Sequence, residues 1–184
     1  MKRTCFAAFA LGFLPGIALS SDTSVIDDTL ARYIGTWDMD LMTHTETFGE
    51  HGGPGKGTMA CDWGPMKAWV DCVMESEYDG LGRYALKIVL HRTSADDTIG
   101  AFVTNSFGGG RLYLGRWQNA TDLVFYDAWI DPNKKWEHQV TTYTFVDNDT
   151  IRYRIDVSDD NESFYPHSSG TYSKRQPQFG HDGR

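Results

Sequence analysis

The sequence predicts an all-β protein, a single antiparallel up-and-down β-barrel of about 8–10 strands with a short N-terminal helix. Two patterns carry that prediction. Apolar and polar residues alternate with a period of two in segment after segment between Trp37 and Tyr172, as half-buried strands do. Turn clusters such as Asp79-Gly80-Leu81-Gly82, Gly108-Gly109-Gly110 and Asp147-Asn148-Asp149 separate these segments at near-regular intervals. No repeat period, domain linker or low-complexity run interrupts them. One domain therefore accounts for a chain of 184 residues, a length that buries a substantial core.

The helix is read at about residues 24–34. Asp22-Thr23-Ser24 offers N-cap side chains, Asp27 and Asp28 place negative charge in the first turn, and Val25, Ile26, Leu30, Tyr33 and Ile34 recur near helical spacing. Gly35 ends it, being free to take positive φ. The period then becomes two, with Trp37, Met39 and Leu41 on one face and Asp38 and Asp40 on the other. Residues 45–57 read as a turn-rich connection around His51-Gly52-Gly53-Pro54-Gly55-Lys56-Gly57. That run is no phosphate loop, because Gly57 stands where Ser or Thr should follow the lysine and the next residues are strand-like.

The following hairpin carries its own register. If Cys61 opposes Cys72 in an antiparallel pair, Met59 faces Met74 and Trp63 faces Val70 on an apolar side. Thr58, Ala60, Asp62, Asp71, Val73 and Glu75 then share the other side. An opposed Cα spacing of about 4.5 Å lies within disulfide reach. In the next strand, residues 83–92, Tyr84, Leu86, Ile88 and Leu90 point inward against Arg83, Lys87 and His91. Ser94 to Asp97 turns, 98–107 is a strand with a bulge expected at Gly100, and the triple glycine leads into 111–118. Residues 123–130 are apolar on both faces, which suggests that the helix packs outside the barrel there. Asp131-Pro132-Asn133-Lys134 turns into strands at 136–146, 150–157 and 164–172.

The helix, Gly35-Thr36-Trp37 and a first strand resemble the entry of lipocalins and other calycins, in which the Trp plugs the closed end of the barrel. The chain more closely resembles an uncharacterised bacterial family with a lipocalin-like domain of unknown function, which opens on the same Gly-Thr-Trp. Its closing pattern is matched here by Arg152-Tyr153-Arg154, Ser158-Asp159-Asp160, Phe164, Thr171-Tyr172 and Lys174-Arg175. The resemblance spans about residues 30–175. It implies a calycin-type barrel, and Arg154 is the candidate for the late Arg that packs over the first-strand Trp in calycins. Alternation with Ile151, Tyr153 and Ile155 points Arg152 and Arg154 outward; a polar interior would instead make them ligand anchors.

Residues 1–20 read as a signal peptide, with Lys2 and Arg3 at the start, an apolar run from Phe6 to Leu19 and a small-x-small site at Ala18-Leu19-Ser20. The run is shorter than the roughly 20 apolar residues of a membrane span. Residues 21–173 form the barrel domain and 174–184 a disordered tail. Removing the two basic residues Lys2 and Arg3 takes the formal net charge from −8 to −10, a surface that repels nucleic acid and anionic lipid. Removing Cys5 leaves two cysteines, Cys61 and Cys72, in a chain bound for an oxidising compartment, periplasmic or extracellular, where they pair.

Chemistry is sparsely signalled. No nucleophile elbow, His-Glu-x-x-His, Cys-x-x-Cys or EF-hand loop occurs, and neither a cofactor nor a metal is expected. His44, Glu46, Glu50 and His51 read as surface residues, and Asp62, Asp71 and Glu75 as a solvated acidic face that could otherwise hold a hard cation. Aromatic residues make up 14% of the chain, beside six Met. Trp37, Met39, Met59, Met74, Tyr84, Trp117 and Trp129, with Arg154, are the candidate lining of a ligand cavity; the same residues could equally fill a solid core. The leading expectation is an exported barrel that binds a small apolar or amphipathic molecule without catalysis. An enzyme of isomerase, lyase or hydrolase type would need Asp71, His91 or Arg154 to converge in a cleft. A structural module would have a filled core and an exposed apolar patch.

Overall fold

The computed structural model describes residues 29–93, 98–127 and 138–176. Among these residues the chain forms β1 (Gly35–Thr43), the one-turn helix α1 (Thr45–Phe48), β2 (Gly53–Trp63), β3 (Trp69–Tyr78), β4 (Gly82–Arg92) and β5 (Ile99–Asn105). There follow β6 (Gly110–Trp117), β7 (Asp122–Asp127), β8 (His138–Phe145), β9 (Thr150–Ser158) and β10 (Tyr165–Lys174). Each strand pairs antiparallel with its neighbours in sequence, and β10 returns to pair with β1. The result is the expected up-and-down barrel, closed so that no sheet edge is exposed. No helix among the described residues is long and apolar enough to cross a membrane.

Alternation places the side chains as expected. Trp37, Met39 and Leu41 are buried while Asp38 and Asp40 are exposed. In the β2–β3 hairpin, Met59 opposes Met74, Cys61 opposes Cys72, Asp62 opposes Asp71 and Trp63 opposes Val70. The two cysteines form a disulfide with Cα atoms 4.1 Å apart, on the buried face.

Four local expectations are corrected. The connection between β1 and β2 is shorter than predicted: after α1 and a 3-10 turn at Gly49–His51, β2 already begins at Gly53. Gly55 and Gly57, read as loop residues, are inward strand positions whose neighbours occupy the space a side chain would take. A Cβ on Gly57 would lie 2.6 Å from Met39 Cε, and one on Gly55 would lie 2.5 Å from the Tyr78 ring. Gly100 is not a bulge; it pairs in register with His91, whose imidazole lies across it on the outer surface. In β7, Val124 is buried on the outer face but Tyr126 is exposed, so the strand is not covered on both sides throughout. The helical turn at 29–31 lies under the end of the barrel rather than against its outside, with Leu30 and Tyr33 buried in the core cluster. The signal segment, the helix before residue 29, the 94–97 and 131–134 turns, Trp129 and the tail from 177 lie outside the described residues.

The disulfide closes a loop with a sequence separation of 11. Replacing both cysteines by alanine is expected to lower the unfolding free energy by about 2–3 kcal/mol. Urea titration followed by Trp fluorescence checks this, and an unchanged midpoint would show that the hairpin holds its register without the bond.

Candidate functional site

The site begins with its floor. Trp37 is fully buried, and its Nε1 donates to the Tyr33 carbonyl at 2.8 Å, fastening the incoming segment to β1. The Lys174 ammonium lies 5.2 Å from the Trp37 ring centroid. Gly35 allows that placement, since a Cβ there would sit 2.8 Å from Lys174 Cε; its φ of +127° is also one that side-chain-bearing residues avoid. Across the floor, the Arg32 guanidinium covers the Phe145 ring at 4.2 Å, and Trp117 Nε1 donates to Thr29 Oγ1 at 3.0 Å. Tyr33 meets Phe145 and Tyr143 edge-on, with centroids 5.2 and 5.8 Å away. These contacts shut one end of the barrel.

Above the floor the interior is not filled. A cavity of about 1040 Å³ opens toward the other end. Seven of the chain's nine tyrosines line it: Tyr33 at the floor, and Tyr78, Tyr84, Tyr113, Tyr143, Tyr153 and Tyr172 on the walls. Met59, Met74, Leu86 and Ile88 fill the wall between β2 and β4. Burial raises the phenol pKa values, that of Tyr143 to about 12 and those of Tyr33, Tyr153 and Tyr172 well above their usual range. The hydroxyls therefore stay protonated and able to donate. Tyr143 and Tyr172 hydrogen-bond each other, as do Tyr78 and Tyr153. The Tyr33 hydroxyl is buried and has no hydrogen-bond partner among the described residues.

The mouth is mixed. Phe48 of α1 packs edge-on against the His167 ring at 4.7 Å, and Thr47 Oγ1 donates to the Pro166 carbonyl at 2.9 Å, which sets the short helix on the rim. Phe107 stacks on Tyr84 with centroids 5.6 Å apart. Opposite, Arg111 Nη1 donates to Asp127 Oδ2 at 3.2 Å. The Asp127 side chain is only 11% exposed, and its Oδ1 finds no partner among the described residues. Burial raises its pKa to about 6, against the opposing pull of Arg111, His138 and a bond from the Gln139 backbone. A carboxyl that titrates near neutrality inside a cavity is a candidate functional group.

The expected site residues divide between wall, floor and outside. Met59, Met74 and Tyr84 line the cavity. Trp37, Met39 and Trp117 belong to the packed floor, where Trp37 and Met39 are buried and Trp117 packs against the core. Arg154 is on the outer surface, held by Asp156 at 2.7 Å, so its role as a ligand anchor is corrected. The cation over Trp37 is Lys174, because closure of the barrel sets Lys174, not Arg154, opposite Trp37.

The proposed catalytic trio does not converge. Asp71 accepts from Trp69 Nε1 at 2.9 Å and pairs with Lys87 at 3.4 Å on the outer face, and His91 lies over Gly100. Nor do His44, Glu46, Glu50 and His51 gather: His44 Nε2 meets Ser169 Oγ at 2.9 Å, and the other three are exposed. The sequence reading passed over Arg111, Asp127 and six of the tyrosines. Alternation carried the signal in β3 and β6, where Tyr78 and Tyr113 each lie four residues from a recognised inward position, Met74 and Trp117, and in β9, where Tyr153 itself was read inward; β8 and β10 offered no such reference. Asp127 lay on the face of Leu123, Phe125 and Trp129 and was passed over because the strand read as apolar on both faces.

No protein-family model and no curated protein matches the chain. Among solved structures, the crystal structure of Rv2717c from M. tuberculosis is similar with a TM-score of 0.63 at 9% identity, covering 83% of this chain and 99% of that one. A de novo designed fluorescence-activating β-barrel reaches a TM-score of 0.45 at 11% identity, covering 80% and 98% of the two chains. The first likeness bears on the fold alone, and the second is too distant to support an argument.

Two outcomes test this geometry. Tyr33→Phe removes an unbonded hydroxyl and nothing else, so it should raise the unfolding free energy by about 1 kcal/mol; a fall of that size would reveal a partner for the oxygen. Asp127 has a folded pKa of about 6 above its ordinary 3.8, so between those values the folded state holds the extra proton and stability falls as pH rises through that window. Asp127→Asn abolishes the loss. Its stability relative to the parent should be about 2 kcal/mol more favourable at pH 7 than at pH 4, measured by paired urea titrations; a pH-independent difference would contradict the burial of that charge.

Proposed function

We propose that this protein is an exported, non-catalytic, lipocalin-like barrel that holds one small apolar or amphipathic molecule. The observation that carries the reading is the blind cavity of about 1040 Å³, floored by Trp37 and Tyr33 and walled by phenol rings and aliphatic side chains. Its volume falls at the upper end of the range that takes drug-sized ligands, which is roughly 300–1,000 Å³. Two inward positions that line it carry small side chains, Ala101 and Ser168, which leave space beside the tyrosines. The apolar rim of Phe48, Leu81 and Phe107 offers a surface over which a greasy molecule enters.

Tyrosine walls suit an amphipathic guest. Each ring buries apolar surface, and each phenol keeps a hydrogen bond available along the path. Export accords with the signal-like residues 1–20 and with a disulfide set in the barrel wall. The acidic surface, net −8 for the whole chain, makes nucleic acid an unsuitable partner.

Native mass spectrometry of the protein purified from its own organism tests the proposal. A stoichiometric small molecule, released chemically unchanged by denaturing extraction, is the expected result. A reproducibly bare mass would overturn carriage in favour of an empty structural barrel or an enzyme that releases its product.

A further inference from the structure

We infer that the outer face of β5, β6 and β7 is the surface through which two copies of this chain associate, sheet against sheet across a two-fold axis. The inference is independent of the carrier reading, because this face lies on the side of the barrel and leaves both mouths open.

Outward positions of a barrel in water are polar by default, as Asp38 and Asp40 of β1 and Glu75 and Glu77 of β3 are. β6 departs from that pattern and presents Leu112 and Leu114 to the outside. Leu112 pairs across the sheet with Phe102 of β5, and Leu114 with Tyr126 of β7. Leu112 and Leu114 are 36% and 41% exposed, Phe102 and Tyr126 47% each. Half-buried Val89 of β4, opposite Phe102, and Val140 of β8, opposite Tyr126, carry the face onto its flanking strands. Apolar residues exposed singly are ordinary on a protein surface, whereas a contiguous face of them marks an interaction site. The helical turn expected against this side lies under the floor instead, so no described element of the chain covers it.

Charge favours a second copy as the occupant. With a formal net charge of −8 the chain repels itself over most approaches, so copies meet where carboxylates are few. Among the described residues, the outward positions of β5, β6 and β7 hold one carboxylate, Asp122 at the floor end. It accepts from Thr144 Oγ1 at 2.7 Å and from Asn119 Nδ2 at 2.8 Å. At one border Lys87 lies 3.4 Å from Asp71, and at the other Arg154 lies 2.7 Å from Asp156, so the flanking charges are paired. A two-fold contact sets the same patch against itself, which a face this poor in carboxylates tolerates. A closed barrel has no strand edge to pair, so association falls to a face.

The size of the face agrees with a weak dimer. It spans five strands, about 19 Å across at the usual strand spacing, and about 13 Å along them, which is roughly 250 Å² of apolar centre. A polar rim one side chain wide brings the footprint to about 700 Å², close to the roughly 800 Å² per partner of a standard interface. An apolar centre within a polar rim is the anatomy of such contacts. On a convex barrel the expected dissociation constant is micromolar.

Sedimentation velocity of the purified mature protein over about 1–200 µM brackets that range and should show a reversible monomer–dimer equilibrium. Leu114→Glu sets two carboxylates against each other at the centre of the contact and should weaken association at least about tenfold. Met66→Glu adds the same charge at a side chain 98% exposed in the β2–β3 turn, away from the face, and should leave the dimer within about twofold of the parent. Raising salt from about 0.05 to 0.5 M screens the acidic repulsion and should tighten the dimer.

A monomer at every concentration, a dimer that survives Leu114→Glu, or a dimer that salt loosens overturns the inference. A monomer that floats with neutral phosphatidylcholine vesicles also overturns it and assigns the face to a lipid surface. If Leu114→Glu does not fold by circular dichroism, the concentration and salt dependence of the parent decide the matter. None of these results touches the carrier reading, which the mass of a bound small molecule decides separately.

Discussion

The fold depends on one bond at the bottom of the barrel, from the Trp37 indole N–H to the Tyr33 carbonyl at 2.8 Å. An antiparallel barrel abolishes its lateral edges but leaves two open ends, and an open pipe of ten strands would let water along its whole apolar bore. The bond holds the segment before β1 across one of those ends. It also places the Tyr33 ring beneath Tyr143 and Phe145 and brings Arg32 over Phe145. The Lys174 ammonium covers the other face of the same floor, where a cation over an indole gains from the ring quadrupole. The first and last strands are thereby joined by ladder bonds, by an aromatic plug and by a cation, so closure of the sheet and closure of its end are one event.

With the floor sealed, inward residue size decides whether the rest is core or cavity. Near the floor the inward positions are large and tightly buried: Trp37, Phe145, Leu123, Ile151 and Val70 leave no space. Farther up, glycine, alanine and serine alternate with tyrosine, and a ring on one strand leans over a small residue on the next. Gly115 lies under Phe125 and Gly170 under Tyr153 in this way. The tyrosines of β9 and β10 pack together, Tyr153 and Tyr172 with centroids 5.1 Å apart, and Tyr78 of β3 reaches Tyr153 of β9. The disulfide sits between these regimes, where Cys72 still touches the cavity and Cys61 packs in the core. It fixes the β2–β3 register at the level where packing gives way to space.

Much of this was legible from residues alone because β-structure writes itself with a period of two. The Cys61–Cys72 pairing sorted an entire hairpin correctly, since a slip of one residue would have exposed both methionines and both cysteines. Trp37, Met39 and Leu41 declared their face in the same way. The failures have equally physical causes. Gly53 to Gly57 looked like a loop because glycine is a turn residue unless a neighbour occupies its missing side chain, and Met39 and Tyr78 are those neighbours only in three dimensions. Arg154 was weighed as the cation over Trp37 because the calycin resemblance implies a late Arg there; only the β1–β10 register shows that Lys174 stands opposite. Asp127 was hidden because it ends a strand whose preceding residues are almost wholly apolar. Alternation does place it on the face of Leu123 and Phe125, but a strand read as apolar on both sides does not declare which face is the inner one.

That inward turn sets an ion pair where a filled core would place hydrocarbon. A barrel selected for stability alone would place a leucine at position 127 and gain from burial, since an ion pair brought out of water seldom repays its desolvation against a well-packed apolar side chain. Here the pair is kept, partly buried, with one oxygen bonded to Arg111 and the other buried without a partner among the described residues. The Tyr33 hydroxyl at the floor is left in the same condition. Buried polar atoms left unbonded are few in folded proteins because each one costs stability. Tyr33 at the floor and Asp127 at the mouth each carry one such atom, so both ends of the cavity bear a cost in stability that a filled apolar core would not.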